Sequence, residues 1–197
     1  TVSVDLSKYK VYPLLSSIES VQSFDCGLPL IDDFLVKDAQ HSDSEYRTQT
    51  QLLFYDGILT GFFSSQVGTL KLEPVDIPSF KSNGVLTDDD LRKEESMGDS
   101  PLDYPVVILS YFAIAQDYQD CGHGTSMMSL FLYQVMNAYR LHGLGFAGVL
   151  LDALPGAADF YKNCGFSSLH GKDSDLFDLP SYPMFIATQK ILDIFAE

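Results

Sequence analysis

The segment Gln119-Asp120-Cys121-Gly122-His123-Gly124 has residue types and a spacing that suit the binding of an anion. Glycine at positions 122 and 124 allows positive φ and lets a ligand approach the backbone, because the Cβ atom is missing. If a helix follows, its first N–H groups have no intrahelical acceptor, and a phosphate would satisfy them. A Gly-x-Gly turn is weak on its own, since many helices begin after glycine.

The elements on either side of the glycines strengthen this interpretation. Residues 106–115 (VVILSYFAIA) carry no charge and are rich in β-branched and aromatic side chains, which predicts a buried strand. From Thr125 onward, apolar residues recur at helical spacing, which predicts a helix. Two familiar phosphate loops are excluded, because no Gly-Lys-Ser/Thr is present and Met127 stands where a dinucleotide-binding loop has its third glycine.

Downstream, the same order of elements repeats in a shorter form. Residues 146–154 (FAGVLLDAL) predict a second apolar strand, and Pro155-Gly156 predicts a break. The run 157–166 (AADFYKNCGF) then predicts a short helix that ends near a Gly-Phe pair. The order is therefore strand, glycine loop, helix, strand, short helix.

In this order and in its motifs the chain resembles the GNAT superfamily of acyl-CoA-dependent N-acyltransferases. Gln119, Gly122 and Gly124 fill the Arg/Gln-x-x-Gly-x-Gly/Ala pattern that cradles the pyrophosphate of acetyl-CoA in that family. Tyr161 with Gly165-Phe166 fills its Tyr-x-x-x-Gly-Phe pattern. The opening 24–27 (FDCG) is similar to the FxCG motif of the branch that includes bacterial toxin acetyltransferases acting on aminoacyl-tRNA.

The resemblance implies a mixed α/β (α+β) fold, with a central, mostly antiparallel sheet that is flanked by helices and splayed between its fourth and fifth strands. We expect one domain over 1–197, with an irregular insertion at about 71–104 in which Thr87 could cap a short helix. Earlier segments predict a strand at 9–15, a short helix at 18–24 and a helix from Leu28 to about His41. They also predict a hairpin of 50–55 with 58–67, in which Gly61 marks a bulge or close packing. A closing strand at 182–188 and a helix at 189–196 would complete the fold.

The resemblance also implies a cofactor site for acetyl-CoA, with no metal. Backbone N–H groups of the loop, aided by the Gln119 and Thr125 side chains, would hold the pyrophosphate, and His123 would point to solvent. The end of the fourth strand would bind the pantetheine arm. The predicted cofactor-binding residues are Phe112, Ala113, Ile114, Gln119, Asp120, Cys121, Gly122, His123, Gly124 and Thr125.

Catalysis would use Tyr161 as general acid, because a phenol with a pKa near 10 stays protonated and can donate to a departing thiolate. The alternative role for Tyr161 is packing on the short helix. Asp152 and Glu45 are candidates for a general base, but each fits a surface or structural role better, so we predict no base. Direct attack by the amine in a ternary complex would then suffice.

The charge balance bears on the acceptor. Twelve Lys and Arg against 27 Asp and Glu give a net charge of −15, which opposes binding to nucleic acid. The excess acidity either aids solubility or attracts a cationic acceptor. We therefore predict an N-acetyltransferase acting on a primary amine of a small molecule or protein. One alternative is a toxin of a toxin-antitoxin pair that acetylates aminoacyl-tRNA, although residues 109–111 (LSY) lack the arginine of that branch. The other is a non-catalytic acyl-CoA-binding module.

Composition predicts a cytoplasmic protein, bacterial by its resemblance and without a membrane partner. No apolar stretch reaches the roughly 18 residues of a spanning helix, and the first residues lack the layout of a signal peptide. Three scattered cysteines, Cys26, Cys121 and Cys164, predict reduced thiols rather than a disulfide framework or a zinc site. The resemblance also makes a homodimer an option.

Overall fold

The computed structural model describes residues 6–72, 77–82, 84–86, 103–169 and 181–196. Within these residues, seven strands hydrogen bond in the order β1-β2-β3-β4-β5-β7-β6. Neighbouring strands are antiparallel except for the parallel pair β4–β5. The strands are β1 Tyr9–Pro13, β2 Gln49–Tyr55, β3 Ile58–Lys71, β4 Asp103–Ile114, β5 Gly148–Ala153, β6 Ser167–Ser168 and β7 Tyr182–Ala187.

Most helices lie between these strands in sequence, and the last one follows β7. The α-helices are α1 Pro29–Asp33, α2 Ala39–Ser44, α3 Ile77–Ser82, α4 His123–Arg140, α5 Ala158–Asn163 and α6 Thr188–Ile194. Single 3₁₀ turns lie at Leu6–Lys8, Leu14–Ser16, Ile18–Val21, Gln116–Tyr118 and Pro155–Ala157. In the described residues, no helix has the length and apolar character needed to cross a membrane.

The chain divides into two compact units, and β3, β4 and α4 each run through both. The first unit is Thr1–Gln66 with Leu109–Leu132, and the second is Val67–Ile108 with Tyr133–Glu197. The expectation of one domain over 1–197 stays a prediction.

The first unit is built on the hairpin of β2 and β3. Asp56 and Gly57 form its turn with φ of 49° and 83°, as a two-residue hairpin turn requires. The predicted irregularity at Gly61 is confirmed, because the strand register shifts beside its partner Leu53. A Cβ at Gly61 would also lie 2.8 Å from the Ala113 carbonyl oxygen. The core of this unit is Leu14, Val21, Phe24, Cys26, Phe34, Leu35, Ala39, Leu52, Phe62 and Ala113.

The second unit is built on β5 and β7, which pair along six residues from Gly148↔Ala187 to Ala153↔Tyr182. Gly148 is required here, since a Cβ would lie 2.2 Å from the Ile186 carbonyl oxygen. Its core is Leu72, Phe80, Leu86, Val106, Leu169, Phe185 and Ala187.

The structure departs from the predicted elements in three places. The helix expected from Leu28 to about His41 is interrupted by one turn of π-helix, Phe34–Asp38, where the Ala39 N–H donates to the Phe34 carbonyl five residues back. The segment predicted as an irregular insertion contains helix α3, and the segment predicted as a loop after Phe166 begins with strand β6. The predicted Thr87 cap lies outside the described residues.

Candidate functional site

The glycine loop has the alternating backbone geometry of an anion-binding concavity. Asp120 and Gly122 have φ of 57° and 87°, and α4 begins at His123. Left-handed residues in such a turn orient successive N–H groups toward one point. Gly124 lies in the first turn of α4 and has no positive φ, so the predicted need for a positive φ applies to Gly122 alone.

Backbone N–H groups in this loop are available to a ligand. The first helical hydrogen bond of α4 runs from the Ser126 N–H to the Gly122 carbonyl at 3.1 Å. In the part of the chain that the structure describes, no backbone carbonyl accepts from the N–H groups of residues 120–125. Cys121, Gly122 and Thr125 are exposed, so these donors are accessible from solvent.

Gln119 has a different role from the one predicted for its side chain. Its amide nitrogen donates to the Cys26 carbonyl at 2.9 Å and to the Ile114 carbonyl at 2.8 Å. Both hydrogens of the side-chain amide are thereby used. The backbone N–H of Gln119 donates to the Gln116 carbonyl at 3.2 Å. Gln119 therefore fixes the start of the loop to the end of β4 instead of offering a donor to a phosphate.

We call the two hydrogen bonds of the Gln119 amide the brace. One of them ends on the 24–27 turn (FDCG), at the Cys26 carbonyl. Gly27 has a φ of 84°, and its N–H donates to the Asp25 carboxylate at 2.8 Å. The Asp25 carbonyl accepts from the Gln116 N–H at 2.9 Å. Burial raises the pKa of the Cys26 thiol to about 11, so this cysteine is an unreactive core residue.

The prediction that His123 points to solvent is wrong. Its side chain is buried, and its Nδ1 atom lies 2.5 Å from the Tyr9 hydroxyl of β1. Burial lowers the pKa of His123, since the charged imidazole would lose its hydration. The imidazole is therefore neutral near pH 7, and its Nδ1 atom forms a hydrogen bond with the Tyr9 hydroxyl.

The residues predicted to bind the pantetheine arm lie at the end of β4. Ala113 and Ile114 are buried, and Phe112 is half-buried. The strand is fixed at its end by the Ala115 N–H, which donates to the Thr60 carbonyl at 2.9 Å. Tyr111, on the same strand, stacks on Phe34 of the π-helical turn with 3.6 Å between ring centroids. The role of these residues in binding the pantetheine arm stays a prediction.

In the second unit, Tyr161 lies on α5, and the Tyr-x-x-x-Gly-Phe motif forms the C-terminal cap of that helix. The Gly165 N–H donates to the Lys162 carbonyl, and the Phe166 N–H donates to the Tyr161 carbonyl, both at 3.0 Å. Gly165 has a φ of 99°, which the left-handed position of this cap requires. Phe166 then packs edge-on against the Tyr161 ring at 5.9 Å.

The environment of Tyr161 keeps its phenol protonated. The side chain is 8% exposed, and burial followed by the nearby Cys164 raises the pKa of Tyr161 above its usual value. Burial also raises the pKa of Cys164 to about 11, so both groups are neutral at physiological pH. Because a raised pKa keeps the phenol protonated but also makes it a weaker acid, the role of Tyr161 as general acid stays a prediction.

The two base candidates have different surroundings. Glu45 pairs with Arg47 at 2.6 Å and with His41 at 3.2 Å, which commits its carboxylate to the protein surface. Asp152 is an exposed residue of β5. The decision to assign no base stays a prediction.

Comparison with solved structures identifies the fold. A structure described as a bacterial toxin matches with 27% identity and a TM-score of 0.71, covering 94% of both chains. The chain has the GNAT fold. A tyrosine-to-phenylalanine mutant of the AtaT toxin, bound to the C-terminus of the antitoxin AtaR and acetyl-CoA, matches with 18% identity, a TM-score of 0.71 and 96% and 99% coverage. AtaT complexed with acetyl-methionyl-tRNAfMet matches with 19% identity, a TM-score of 0.68 and 95% and 99% coverage.

These matches confirm the resemblance to toxin-like proteins of the GNAT fold that the motifs predicted. No family model and no curated protein sequence matches the chain. The GNAT fold places Gln119–Thr125 at the end of β4 and Tyr161 after β5, in the order of elements read from the sequence.

Sequence reasoning missed two residues that shape the loop, Tyr9 and Gln116. Tyr9 contacts His123 across 114 positions of sequence, and no local pattern indicates such a contact. Gln116 places its side-chain nitrogen against Gly27, but the positive φ of Gly27 already requires a glycine, so that glycine is no signal for Gln116.

Proposed function

We propose that the chain is an acetyl-CoA-dependent N-acetyltransferase of the toxin type, and that its acceptor is the α-amine of an aminoacyl-tRNA. The observation that carries the proposal is the near full-length match to AtaT, which has been solved with acetyl-CoA and, separately, with acetyl-methionyl-tRNAfMet. The loop geometry supports the donor, because its accessible N–H groups suit a pyrophosphate.

The reaction makes three chemical demands. The neutral amine attacks the thioester carbonyl carbon, a C–N bond forms, and the C–S bond breaks. The amine loses a proton to water, and the departing thiolate gains one. We assign the protonation of the departing thiolate to Tyr161, because its buried phenol is protonated at working pH.

Within the loop, binding energy comes from the backbone. The N–H groups of residues 120–125 and the positive end of α4 attract the pyrophosphate, while Gln119 holds the loop in place. Thr125 is exposed in the first turn, where its hydroxyl can donate to a phosphate oxygen.

A small or protein-borne cationic amine is the second candidate acceptor. The net charge of −15 favours it, since a surface with 27 acidic and 12 basic residues repels a polynucleotide and attracts an amine. The comparisons support the tRNA acceptor better, because tRNA is the acceptor type seen with a matched protein.

The test is a transfer assay with labelled acetyl-CoA and two sets of acceptors, an aminoacyl-tRNA pool and a panel of free amines. Chromatography of CoA should replace thiol reagents, because Cys121 is an exposed free thiol that would react with them. We expect label on aminoacyl-tRNA and none on deacylated tRNA. Label on free amines alone would support the second candidate.

If acetyl-CoA raises the melting temperature but no acceptor is labelled, the chain is a binding module and the proposal of catalysis fails. Expression in a bacterial host gives an independent measurement: we expect the wild type to arrest growth and the Tyr161→Phe variant to be tolerated.

A further inference from the structure

A buried hydrogen-bond cluster joins β1 to the first turn of α4. Tyr9 is 8% exposed, and its hydroxyl lies 2.5 Å from Nδ1 of His123. Ser126, in the same turn, is also buried, and its hydroxyl donates to the Gly122 carbonyl at 3.3 Å. Tyr9 contacts this turn through the side chain of His123.

Three tyrosine rings surround the His123 imidazole. The rings of Tyr9, Tyr55 and Tyr118 approach it edge-on, with centroid distances of 5.7, 4.8 and 5.3 Å. Burial lowers the pKa of His123 and raises the pKa of Tyr9, so both groups are neutral near pH 7. The hydrogen bond therefore joins two neutral groups, and the tautomer of the imidazole sets which of them donates.

The loop needs such an external contact because its own hydrogen bonds are few. Residues 120–125 have N–H groups without a backbone acceptor among the described residues, and Asp120 and Gly122 occupy left-handed conformations. The brace at Gln119 fixes the start of the loop. His123, which stands between the two glycines, is the point at which its end is fixed.

We propose that Tyr9 is a positioning residue for this loop: its phenol clamps the first turn of α4 so that the backbone N–H groups remain directed at the pyrophosphate of acetyl-CoA. This inference rests on the proposed function, which supplies the ligand. Tyr9 itself acts through His123 and touches no reacting atom.

The test is the Tyr9→Phe variant of the full chain, which removes only the hydroxyl. We expect the Kd and KM for acetyl-CoA to rise about 3- to 10-fold, as the loss of one hydrogen bond implies, with kcat within twofold of wild type. Tyr55→Phe is the matched control, because its ring contacts the same imidazole at 4.8 Å and it should leave both constants unchanged.

A second pair of variants tests the partner of Tyr9 in this hydrogen bond. His123→Asn keeps an amide near the position of Nδ1, which can donate or accept, and should retain most of the affinity for acetyl-CoA, whereas His123→Leu should lose it to the same extent as Tyr9→Phe. A purely structural role would give a different pattern, in which the active fraction measured by calorimetry falls and KM stays constant.

The outcomes separate the two proposals. If the wild type fails to bind acetyl-CoA in calorimetry, the proposed function fails. If the wild type binds and Tyr9→Phe binds equally well, or if kcat falls while KM is unchanged, the positioning role of Tyr9 is overturned and the proposed function stands.

Discussion

At the scale of single residues, Tyr161 is the side chain with the most specific chemical assignment. Replacing it with Phe removes the proton donor and keeps the packing against Phe166. We expect kcat to fall about 10²- to 10⁴-fold, the usual contribution of a general acid, with the Kd for acetyl-CoA unchanged. Tyr182→Phe, another buried tyrosine of the same unit, should retain full turnover. Full activity of Tyr161→Phe would leave that tyrosine with a packing role.

For Gln119 we predict an effect on stability, because its side-chain amide donates hydrogen bonds to two carbonyl groups. In Gln119→Glu, two acceptor oxygens would face the Cys26 and Ile114 carbonyls. We expect a loss of about 1 to 3 kcal/mol in the free energy of unfolding, measured by urea denaturation, together with weaker acetyl-CoA binding. Gln22→Glu adds the same charge at an exposed position and should change stability little.

His123 predicts a pH dependence of stability. Its pKa is lowered in the folded chain, so the unfolded chain binds a proton more readily as the pH falls below the usual value of 6.5. The neutral, buried imidazole therefore contributes its full stability above about pH 6.5, and this contribution declines on acidification. Melting temperatures at pH 7.5 and 5.5 should differ more for the wild type than for His123→Asn. Equal differences in the two proteins would contradict the burial of this group.

At the scale of elements, the cap of α5 explains why the family motif has its spacing. Gly165→Ala would place a Cβ at a φ of 99° and 3.3 Å from the Ile186 Cδ1 atom. We expect it to destabilise the chain by about 1 to 2 kcal/mol in thermal or urea unfolding. Gly156→Ala is the control, because a Cβ there meets nothing within 4 Å and its φ is not positive. A similar loss in both variants would argue against the cap.

Elements with a strong change of period were predictable from the sequence. The uncharged run ending at Ile114, the amphipathic stretch from His123 and the strand before Pro155 all form as predicted, within a few residues. The π-helical turn Phe34–Asp38 was not predictable, since its single shifted hydrogen bond leaves the apolar pattern almost unchanged. The burial of His123 was missed for a related reason: its partner is on β1, far away in sequence.

At the scale of the whole molecule, net charge limits how a polynucleotide can bind. Four basic residues each have a carboxylate within 4.0 Å, in the pairs Lys8–Asp56, Lys37–Asp33, Arg47–Glu45 and Lys162–Asp159. The full sequence holds 12 basic residues against 27 acidic ones, so cations that could contact phosphates are outnumbered by carboxylates. We expect affinity for aminoacyl-tRNA to fall less than about tenfold between 50 and 200 mM salt, the loss for roughly two phosphate contacts. A steeper loss in filter binding would indicate a concentrated basic surface.

The brace at Gln119 also has a consequence for how such proteins evolve. It joins an opening motif and a cofactor loop that lie 93 residues apart in sequence, through an amide that serves both. A recombination event that replaces one motif and keeps the other would leave carbonyls without donors at the junction. The two motifs should therefore change together in evolution. We expect homologues that change the residue at position 119 to carry a compensating change in the turn at positions 25–27.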